Sequence, residues 1–444
     1  MKKVLIANRG EIAVRVIRAC QELGIQTVAI HSVADRDALH TRIADESICI
    51  GPGPSAKSYL SIPAIMSAAE IAGVDAIHPG YGFLSENAKF AAICENYNVK
   101  FIGPKSSHIR ALGNKVEARA FAEKAGVPML PGSPGAVTSS QEALKLAKEI
   151  GFPLIIKAAS GGGGRGMKIV RSMDELTKQY ELARSEALVG FGDSDVFIER
   201  YCERPRHVEF QLVADEHGNV GHLGERDCSI QRRHQKLLEE APCPIMTPER
   251  RKEMGDTAVR LAKAVGYQSL GTVEFLLDED GRYYFMEVNT RAQVEHPVTE
   301  MITSVDLIKE QINIARGHKL SFDPTKIEIR GHALECRINA EDPVTFAPWP
   351  GKVTAYHEPG GPGVRVDGML YAGYTVPSLY DSMVAKLITW GRDREECLAR
   401  MRRSLREMKV DGIRTNIPFH LRVLDDKRFI EGQVTTKFLQ EWGI

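Results

Sequence analysis

The first hundred residues alternate short apolar segments with amphipathic ones, and this alternation restricts the chain to few folds. Apolar runs at 4–7, 27–32 and 47–50 predict strands, whereas 11–23 and 62–72 predict helices. In the first helix, apolar residues recur at i, i+4, i+7 and i+11 and so share one face. Such βαβ units build a parallel, doubly wound sheet, and ligands bind beyond the carboxyl ends of its strands. The sequence therefore predicts an α/β N-terminal domain.

A glycine-containing turn follows the next apolar run, at 76–78. The segment HPGYGFLSE spans 78–86, and its two glycines allow a tight turn that would expose Tyr81 at the end of a strand. Ser85 is expected to cap a helix over 86–96. An ordinary turn with a packed tyrosine is the alternative interpretation.

The first strand-to-helix turn reads Asn-Arg-Gly at 8–10 and lacks the G-x-G-x-x-G signature of dinucleotide binding. A strand is expected at 99–103, and the segment 106–113 is expected to connect to a second domain. Helices are predicted at 115–125 and 141–150.

The composition narrows the class of protein. The chain has 444 residues, a length that corresponds to roughly two to four domains. Lys plus Arg and Asp plus Glu both number 58, and the resulting net charge of zero argues against a nucleic-acid partner. No run of about 18 apolar residues occurs and the N-terminus does not resemble a leader, so no membrane partner is expected. The eight cysteines are scattered without a CxxC pair, which favours buried free thiols in a reducing cytoplasm.

A glycine-rich loop, SGGGGRG at 160–166, separates two predicted strands at 152–159 and 167–170. Its backbone N–H groups could cradle a polyphosphate as a flap, although it is not a Walker A loop, and a flexible linker is the alternative. Lys157 lies on an otherwise apolar strand and needs an anionic partner, which makes it a candidate phosphate ligand. The strand at 196–201 ends in charged residues and is either an adenine-binding hinge or an ordinary exposed strand end.

Two glutamates flank a hairpin signal, Asp-Gly at 280–281. If this pair forms a two-residue turn, Glu274 faces Glu287 directly, with Leu276 and Phe285 as apolar neighbours on the same face. Opposed like charges destabilise a hairpin unless a cation lies between them. The alternative is a longer turn, which would shift the register and separate the carboxylates.

Polar residues continue past this hairpin. Asn289 lies on the same face as the glutamates, and the three oxygen ligands suit Mg²⁺. Arg291, Gln293 and Glu295 alternate, so an extended segment would let them hold a small anion and remove its proton. A surface ion pair is the alternative interpretation.

Two further segments carry charge. The segment 225–236 is dense in cations and is usually explained as a solvated face. Farther along, Glu335, Arg337 and Asn339 alternate with apolar residues and are expected to face solvent or a cleft.

Taken together, these residues resemble the biotin carboxylases of the ATP-grasp superfamily, in particular the free-standing subunit of multi-part acetyl-CoA carboxylase. The resemblance covers essentially the whole chain. Its most specific stretches are NRGEIAVRVIRA, HPGYGFLSEN, KAASGGGGRGM, ERDCSIQRRHQKLLEEAP, EVNTRAQVEHPVTE and HALECRINAEDP. It implies an α/β and α+β fold with a Rossmann-like domain at 1–113, an ATP-grasp domain at 114–329 with a mobile lid at about 131–203, and a mixed C-terminal domain at 330–444.

The resemblance also implies a role for each matching position. It implies ATP contacts at Lys115, Lys157, Gly162, Gly163, Gly164, Gly166, Glu199, Arg200, Cys202, His207, Gln231, His234 and Leu276. It implies two Mg²⁺ ions, with Mn²⁺ as a substitute, at Glu274, Glu287 and Asn289. It implies a bicarbonate pocket of Lys236, Arg291, Gln293, Val294 and the base Glu295, and a biotin site with Arg337 and Tyr81. Arg200 stands where the family usually has Lys, which keeps the charge but changes its hydrogen-bond geometry.

The implied activity is the ATP- and bicarbonate-dependent carboxylation of biotin on a biotin carboxyl carrier protein through carboxyphosphate. That step would supply carboxyltransferase subunits and lead to malonyl-CoA and fatty acids, in the cytoplasm. A homodimer surface is implied at Arg15, Arg18 and Glu22. The rival interpretations are another ATP-grasp ligase that uses an amine or ammonia, and a non-catalytic nucleotide-sensing module. The chain is expected to lack its own biotinylated lysine, although Met-Lys pairs occur at 167–168 and 408–409.

Overall fold

The N-terminal part is a parallel sheet covered by helices, as the sequence predicts. The computed structural model describes residues 1–159 and 167–444, except for the side chains of residues 115 and 191. The elements are β1 (Lys3–Ile6), α1 (Gly10–Glu22), β2 (Gln26–Ser32), α2 (Leu39–Ile43), β3 (Glu46–Gly51), α3 (Ile62–Ala72), β4 (Ala76–His78), α4 (Ala88–Asn96) and β5 (Lys100–Phe101). The strand order is β3-β2-β1-β4-β5, with β1 at the centre and all pairs parallel.

One local prediction in this part is wrong, the cap of the helix expected at 86–96. Helix α4 is capped by Asn87, whose side chain accepts from the backbone N–H of Phe90 at 2.9 Å, and not by Ser85, which is buried. An Asn at this position satisfies one of the free N–H groups of the first helical turn. The predicted connection at 106–113 is itself a helix, α5 (Ser106–Gly113).

Helix α1 is deeply buried, including part of the surface that the family resemblance assigns to a homodimer. Glu11 and Arg15 are only 3% and 8% exposed. Arg15 donates to Glu300 at 2.9 Å and to Asp306 at 2.6 Å within the same chain. Arg15 is therefore an internal ion-pair partner and does not belong to an exposed stripe, whereas Arg18 is exposed.

A small antiparallel sheet flanks the glycine-rich segment. The elements are α6 (Lys115–Lys124), α7 (Ser140–Ile150), β6 (Leu154–Ala158), β7 (Met167–Val170), α8 (Met173–Phe191) and β8 (Val196–Arg200). Strand β6 lies between β7 and β8. Leu154, Ile156 and Ile198 pack against α7 and α8, so the opposite face of the sheet presents Lys157 and Glu199.

The largest sheet has eight strands and crosses the predicted boundary at 330. The remaining elements are β9 (Arg206–Ala214), β10 (Val220–Arg232), β11 (Gln235–Ala241), α9 (Pro248–Val265), β12 (Ser269–Leu277), β13 (Tyr283–Asn289), α10 (His296–Thr303), α11 (Leu307–Ala315), β14 (His332–Asn339), β15 (Gly351–Lys352), β16 (Ala355–His357), β17 (Val364–Gly368), β18 (Thr375–Val376), β19 (Met383–Gly391), α12 (Arg394–Glu407), β20 (Lys409–Asp411), α13 (Ile417–Asp425) and α14 (Lys427–Ile430). The order is β13-β12-β9-β10-β11-β14-β19-β17. The pairing of β11 with β14 joins the central and C-terminal parts into one sheet.

The β12–β13 hairpin has the predicted glutamate pair but not the predicted turn. Its loop is longer than two residues, because Asp278 donates its N–H to the carbonyl of Arg282 at 2.8 Å. Leu276 consequently faces Tyr284 and not Phe285. One extra residue at position 286 then bulges out and restores the pairing of Glu274 with Glu287.

The sequence also led us to expect free, buried cysteines and no membrane-spanning helix. All eight cysteines are free, and all but Cys49 are buried. Within residues 1–159 and 167–444, no helix combines the length and apolarity needed to cross a membrane.

Candidate active site

Three glutamates form a row across neighbouring strands of the large sheet. Glu274 on β12 faces Glu209 on β9 on one side and Glu287 on β13 on the other. Glu209 and Glu274 are buried, whereas Glu287 is exposed. Directly opposed carboxylates repel each other, so the row requires cations beside it.

Lys236 is the cation at the centre of the site. Its Nζ lies 2.5 Å from Glu209, 3.0 Å from Glu274 and 2.5 Å from Glu295. Burial alone would lower the pKa of Lys236, but the three carboxylates raise it well above its ordinary value. The lysine is therefore charged and offsets part of the repulsion between the glutamates.

A change of register brings Lys236 into the site. Ile230 pairs with Leu238, and the next residue, Gln231, pairs with Lys236, so one residue of β11 is extra at position 237. Such a bulge interrupts the strict alternation of side chains. The charged segment 225–236 is interpreted from its sequence as a solvated face. It instead supplies Lys236, a central residue of the site.

The carboxylate of Glu274 is surrounded by donors. His207 lies 2.9 Å from one of its oxygens, while Asn289 and Gln293 donate to the other at 2.9 and 3.2 Å. Burial alone would raise the pKa of Glu274, but the charges of Lys236 and His207 hold it below its usual range. Glu274 is therefore ionised over the whole physiological pH range.

Glu295 is bound by a different cation at each oxygen. Lys236 contacts Oε1 at 2.5 Å, and the Nη2 of Arg337 contacts Oε2 at 2.9 Å. Glu295 is fully buried at the N-terminus of α10. Burial opposes its charge, but Lys236 and Arg337 hold its pKa well below the ordinary value, so it is a carboxylate.

Arg291 is held at the edge of the site by a residue of the N-terminal part. Its Nε donates to Glu86 at 2.8 Å, and its other nitrogens donate to Gln293 at 3.0 Å and Asn289 at 3.1 Å. The backbone carbonyl of Val294 accepts from the buried Lys386 at 2.9 Å. The residues predicted to bind bicarbonate are therefore together in one place.

Tyr81, which the turn at 78–86 was expected to expose, is packed, as in the alternative interpretation of that turn. Its hydroxyl donates to Glu11, and its ring centre lies 6.0 Å from the Nζ of Lys386. Burial raises the pKa of Glu11 to about 7, although Lys386 opposes that rise. Tyr81 is thus a half-buried side chain fixed by an interior carboxyl group.

The predicted phosphate ligand Lys157 is held by Glu199. The two side chains lie 2.6 Å apart, and Arg119 of α6 contacts the other oxygen of Glu199 at 2.5 Å. The side chain of Arg200 instead donates to the carbonyl of Ile150 at 3.3 Å. Glu199 therefore links the small sheet to α6, while Arg200 faces α7.

The other predicted nucleotide contacts are spread along one face of the sheet. Leu276 lies opposite His207, and Gln231 lies within 2.6 Å of the Nδ1 of His207. Burial raises the pKa of the Cys202 thiol to about 11, and His234 is exposed at the turn between β10 and β11. The predicted contacts Gly162, Gly163, Gly164 and Gly166, together with the side chain of Lys115, lie outside the described residues.

Five residues of this region were not predicted from the sequence. They are Glu86, Arg119, Glu209, Arg226 and Glu239. Arg226 binds Glu209 at 2.6 Å and Glu239 binds Arg337 at 2.6 Å. For Glu209 a signal existed, because His207, Glu209 and Gln211 alternate with apolar residues and so share one face of the strand. The other four depend on contacts between distant segments, which a sequence pattern does not reveal.

The donor set fits a divalent cation. Glu274 and Glu287 offer carboxylates across one ladder, and His207, Glu209 and Glu274 have ligand atoms within 4.8 Å of one another. Carboxylate oxygens that face a phosphate cleft are the ligands typical of Mg²⁺. In the structure, Lys236 and His207 both contact Glu274, so a bound cation would share that carboxylate with them.

The fold and this site define an ATP-grasp protein. Residues 114–322 match the family profile "Carbamoyl-phosphate synthase L chain, ATP binding domain", while 1–109 and 335–441 match the N-terminal and C-terminal domains of biotin carboxylase. The chain belongs to the biotin carboxylase family.

Full-length relatives agree with this assignment. The chain is 56% identical to the biotin carboxylase of Nostoc sp., over 99% of this chain and 98% of the relative. It is 55% identical to a pyruvate carboxylase subunit of Methanothermobacter thermautotrophicus, over 99% of this chain and 90% of the relative. A crystal structure of the biotin carboxylase domain dimer of Hydrogenobacter thermophilus 2-oxoglutarate carboxylase, in complex with MgADP, ADP and bicarbonate, matches with a TM-score of 0.94 and 50% identity, over 100% of this chain and 98% of that one.

Proposed function

We propose that this chain carboxylates the biotin of a carrier protein, using ATP and bicarbonate. The observation that carries the proposal is the binding of Glu295 by Lys236 and Arg337, one at each oxygen. The arrangement unites a carboxylate base with two cations that can hold an anionic substrate. The fold and the full-length relatives are those of this enzyme family.

Bicarbonate would bind between Lys236 and Arg291, beside Gln293 and the backbone of Val294. Glu295 would take the proton of bicarbonate, and its low pKa requires that the substrate first loosen one of its two ion pairs. The resulting carbonate oxygen attacks the γ-phosphorus of ATP, and ADP leaves as the bond to the bridging oxygen breaks. The product is carboxyphosphate, which separates into carbon dioxide and phosphate.

Biotin would bind next to Arg337 and Tyr81. The phosphate released in the first stage removes the proton from the ureido nitrogen of biotin, and the enolate oxygen that develops lies near the guanidinium of Arg337. A fixed positive charge at that oxygen stabilises the transition state. Carbon dioxide then forms a bond with the ureido nitrogen and gives carboxybiotin.

The nucleotide would lie between the small sheet and the row of glutamates. Lys157 and the glycine segment 160–166 would contact the phosphates, with Lys115 at the start of α6. Two Mg²⁺ ions, or Mn²⁺, held by Glu274, Glu287 and Asn289 would neutralise the charge of the transferring phosphoryl group. The residues at about 131–203 would form the lid over this cleft, and Glu199, Cys202 and Leu276 would border the adenine.

The partners follow from the reaction. A biotin carboxyl carrier protein would present the biotin, and separate carboxyltransferase subunits would use the product. We propose acetyl-CoA as the final acceptor, which would place the enzyme in malonyl-CoA and fatty acid synthesis, and a cytoplasmic homodimer as the working form. Arg18 and Glu22 remain as the exposed residues of the proposed dimer surface.

ADP release from the purified chain tests this function. We expect bicarbonate to be required for ATP cleavage and free biotin to accelerate it. Acceleration by ammonia or an amine, with no response to biotin, would instead indicate another ATP-grasp ligase. ATP binding without cleavage under any of these conditions would indicate a nucleotide-sensing module.

A further inference from the structure

Arg337 is held by a second carboxylate that belongs to none of the sites proposed above. Its Nε donates to Oε1 of Glu239 at 2.6 Å, and its Nη2 lies 2.5 Å from the same oxygen. The same Nη2 lies 2.9 Å from Oε2 of Glu295. Two of the three guanidinium nitrogens are therefore engaged by protein carboxylates.

We propose that Glu239 is a positioning residue for Arg337, and this inference rests on the proposed function. Glu239 has no exposed surface and lies on β11, the strand that also carries Lys236. By holding the Nε side of the guanidinium, it leaves Nη1 with no protein acceptor among the described residues. That N–H edge is the one available to the oxygen of a biotin enolate.

The carboxylate of Glu239 holds the guanidinium of Arg337 in one orientation. A long arginine side chain has many rotamers, and a charge-assisted bond to a buried carboxylate restricts it to one. Burial raises the pKa of Glu239 to about 7, while Arg337 opposes the rise; Glu295 and Lys236 are the other charged groups near it. Arg337 thus opposes the protonation of Glu239, and Glu239 in turn orients Arg337 through the contact with its Nε and Nη2.

The facing strand offers a matched control. Glu335 on β14 lies directly opposite Glu239 and is also fully buried. Neither of its carboxyl oxygens has a hydrogen-bond partner in the described part of the chain. Burial raises its pKa well above the ordinary value, against the opposing charge of Lys386, so it is neutral. Glu335→Gln exchanges one neutral group for another of the same size, whereas Glu239→Gln removes the carboxylate that Arg337 binds.

The test compares these two variants in steady-state kinetics. For Glu239→Gln we expect kcat for biotin carboxylation to fall by about tenfold or more, with the KM for ATP within about twofold of wild type. For Glu335→Gln we expect both quantities to stay within about twofold of wild type. Wild-type carboxylation by Glu239→Gln, or equal losses in both variants, would overturn the proposal.

Two further variants separate positioning from folding. Glu239→Asp keeps the carboxyl group but shortens the side chain by one methylene. We expect an intermediate kcat with a normal KM for ATP. This variant tests the proposal even if Glu239→Gln folds poorly. In the background of Arg337→Ala, adding Glu239→Asp should cost no further activity, because the residue it acts through is gone. Additive losses would contradict the inference. A wild-type chain that shows no biotin-dependent reaction would refute the proposed function instead.

Discussion

At the scale of single residues, the site is organised around a row of three carboxylates with cations beside it. Glu209, Glu274 and Glu287 lie side by side, and Lys236 and His207 contact the inner two. Glu287 is the outer and exposed member of the row. A divalent cation is expected to bind on its side, which is open to solvent.

Glu287→Gln tests this expectation. The change removes one anionic oxygen ligand but keeps the size of the side chain, so we expect the Mg²⁺ concentration for half-maximal ADP release to rise by about tenfold or more. Glu279→Gln, on the exposed loop of the same hairpin, is the control and should leave the titration unchanged. A wild-type Mg²⁺ titration for Glu287→Gln would remove Glu287 from the metal site.

Arg337→Ala tests the residue proposed to stabilise the enolate. We expect biotin carboxylation to lose about 3 kcal/mol of transition-state stabilisation, while the affinity for ATP stays close to that of wild type. Kinetics with biotin and ATP varied separately measure the two effects. Arg392→Ala removes an exposed arginine paired with Glu396 and serves as the control. Equal losses of ATP affinity and turnover would mark Arg337 as a purely structural ion-pair partner.

The placement of site residues was predictable from the sequence where it depends on local pattern. The pairing of Glu274 with Glu287 came from a hairpin signal. Alternation predicted that Arg291 and Gln293 project together, and they share a hydrogen bond, but Glu295 lies in a turn and not in an extended segment. The ion pairs that decide the charge state of these groups join segments far apart in the chain, as Glu239 and Arg337 do. No local pattern encodes them.

At the scale of elements, two irregularities shape the site and neither was predictable. The loop of the β12–β13 hairpin is longer than predicted, which shifts the pairing of the residues next to it by one position. The extra residue at position 286 shifts the pairing back, so Glu274 still faces Glu287. The extra residue at position 237 directs Lys236 toward Glu295. Bulges depend on how three strands pack together, and a single segment carries too little information to specify them.

The joint between β11 and β14 gives a prediction about stability and pH. Glu240 is buried there, 2.8 Å from both His332 and Arg394. Burial alone would raise its pKa, but these partners lower it from 4.5 to about 2. The folded-state pKa is the lower one, so this contribution, about 3 kcal/mol, is complete above pH 4.5 and declines as the pH falls toward 2.

Glu240→Gln should therefore destabilise the fold most at neutral pH. Urea titrations of wild type and variant measure the difference in the free energy of unfolding, which we expect to shrink below pH 4.5. Glu431→Gln alters an exposed pair with Lys427 and should change little at any pH. A difference for Glu240→Gln that does not depend on pH would show that the ionised carboxylate is not the source of the stability.

At the scale of the whole molecule, the α/β start of the chain was predictable and the continuous eight-stranded sheet was not. The fold of the first hundred residues is built from strands and helices that follow one another along the chain, and the hydrophobic periodicity of the sequence identifies such elements well. The sheet instead pairs β11 with β14 across about ninety intervening residues. As a result Arg337, from the C-terminal part, lies in the same site as Lys236 and Glu295, and the predicted boundary at 330 falls inside a shared sheet.

The last prediction concerns where the biotin is attached. Lys168 and Lys409 each follow a methionine, the pair that marks biotinylated lysines, which are presented at a hairpin tip between two strands. Lys168 lies within β7 and its Nζ is 2.8 Å from Glu186. Lys409 begins β20 directly after α12 and lies 3.1 Å from Asp411.

Neither lysine has that presentation, so we expect the chain to act on biotin carried by another protein. Incubation of the purified chain with biotin ligase, ATP and biotin should leave its intact mass unchanged, while a separate carrier protein in the same mixture gains one biotinyl group. A gain of that mass by this chain would make it its own carrier. Lys168→Arg and Lys409→Arg would then identify the modified residue, because arginine keeps the charge of each ion pair but cannot accept biotin.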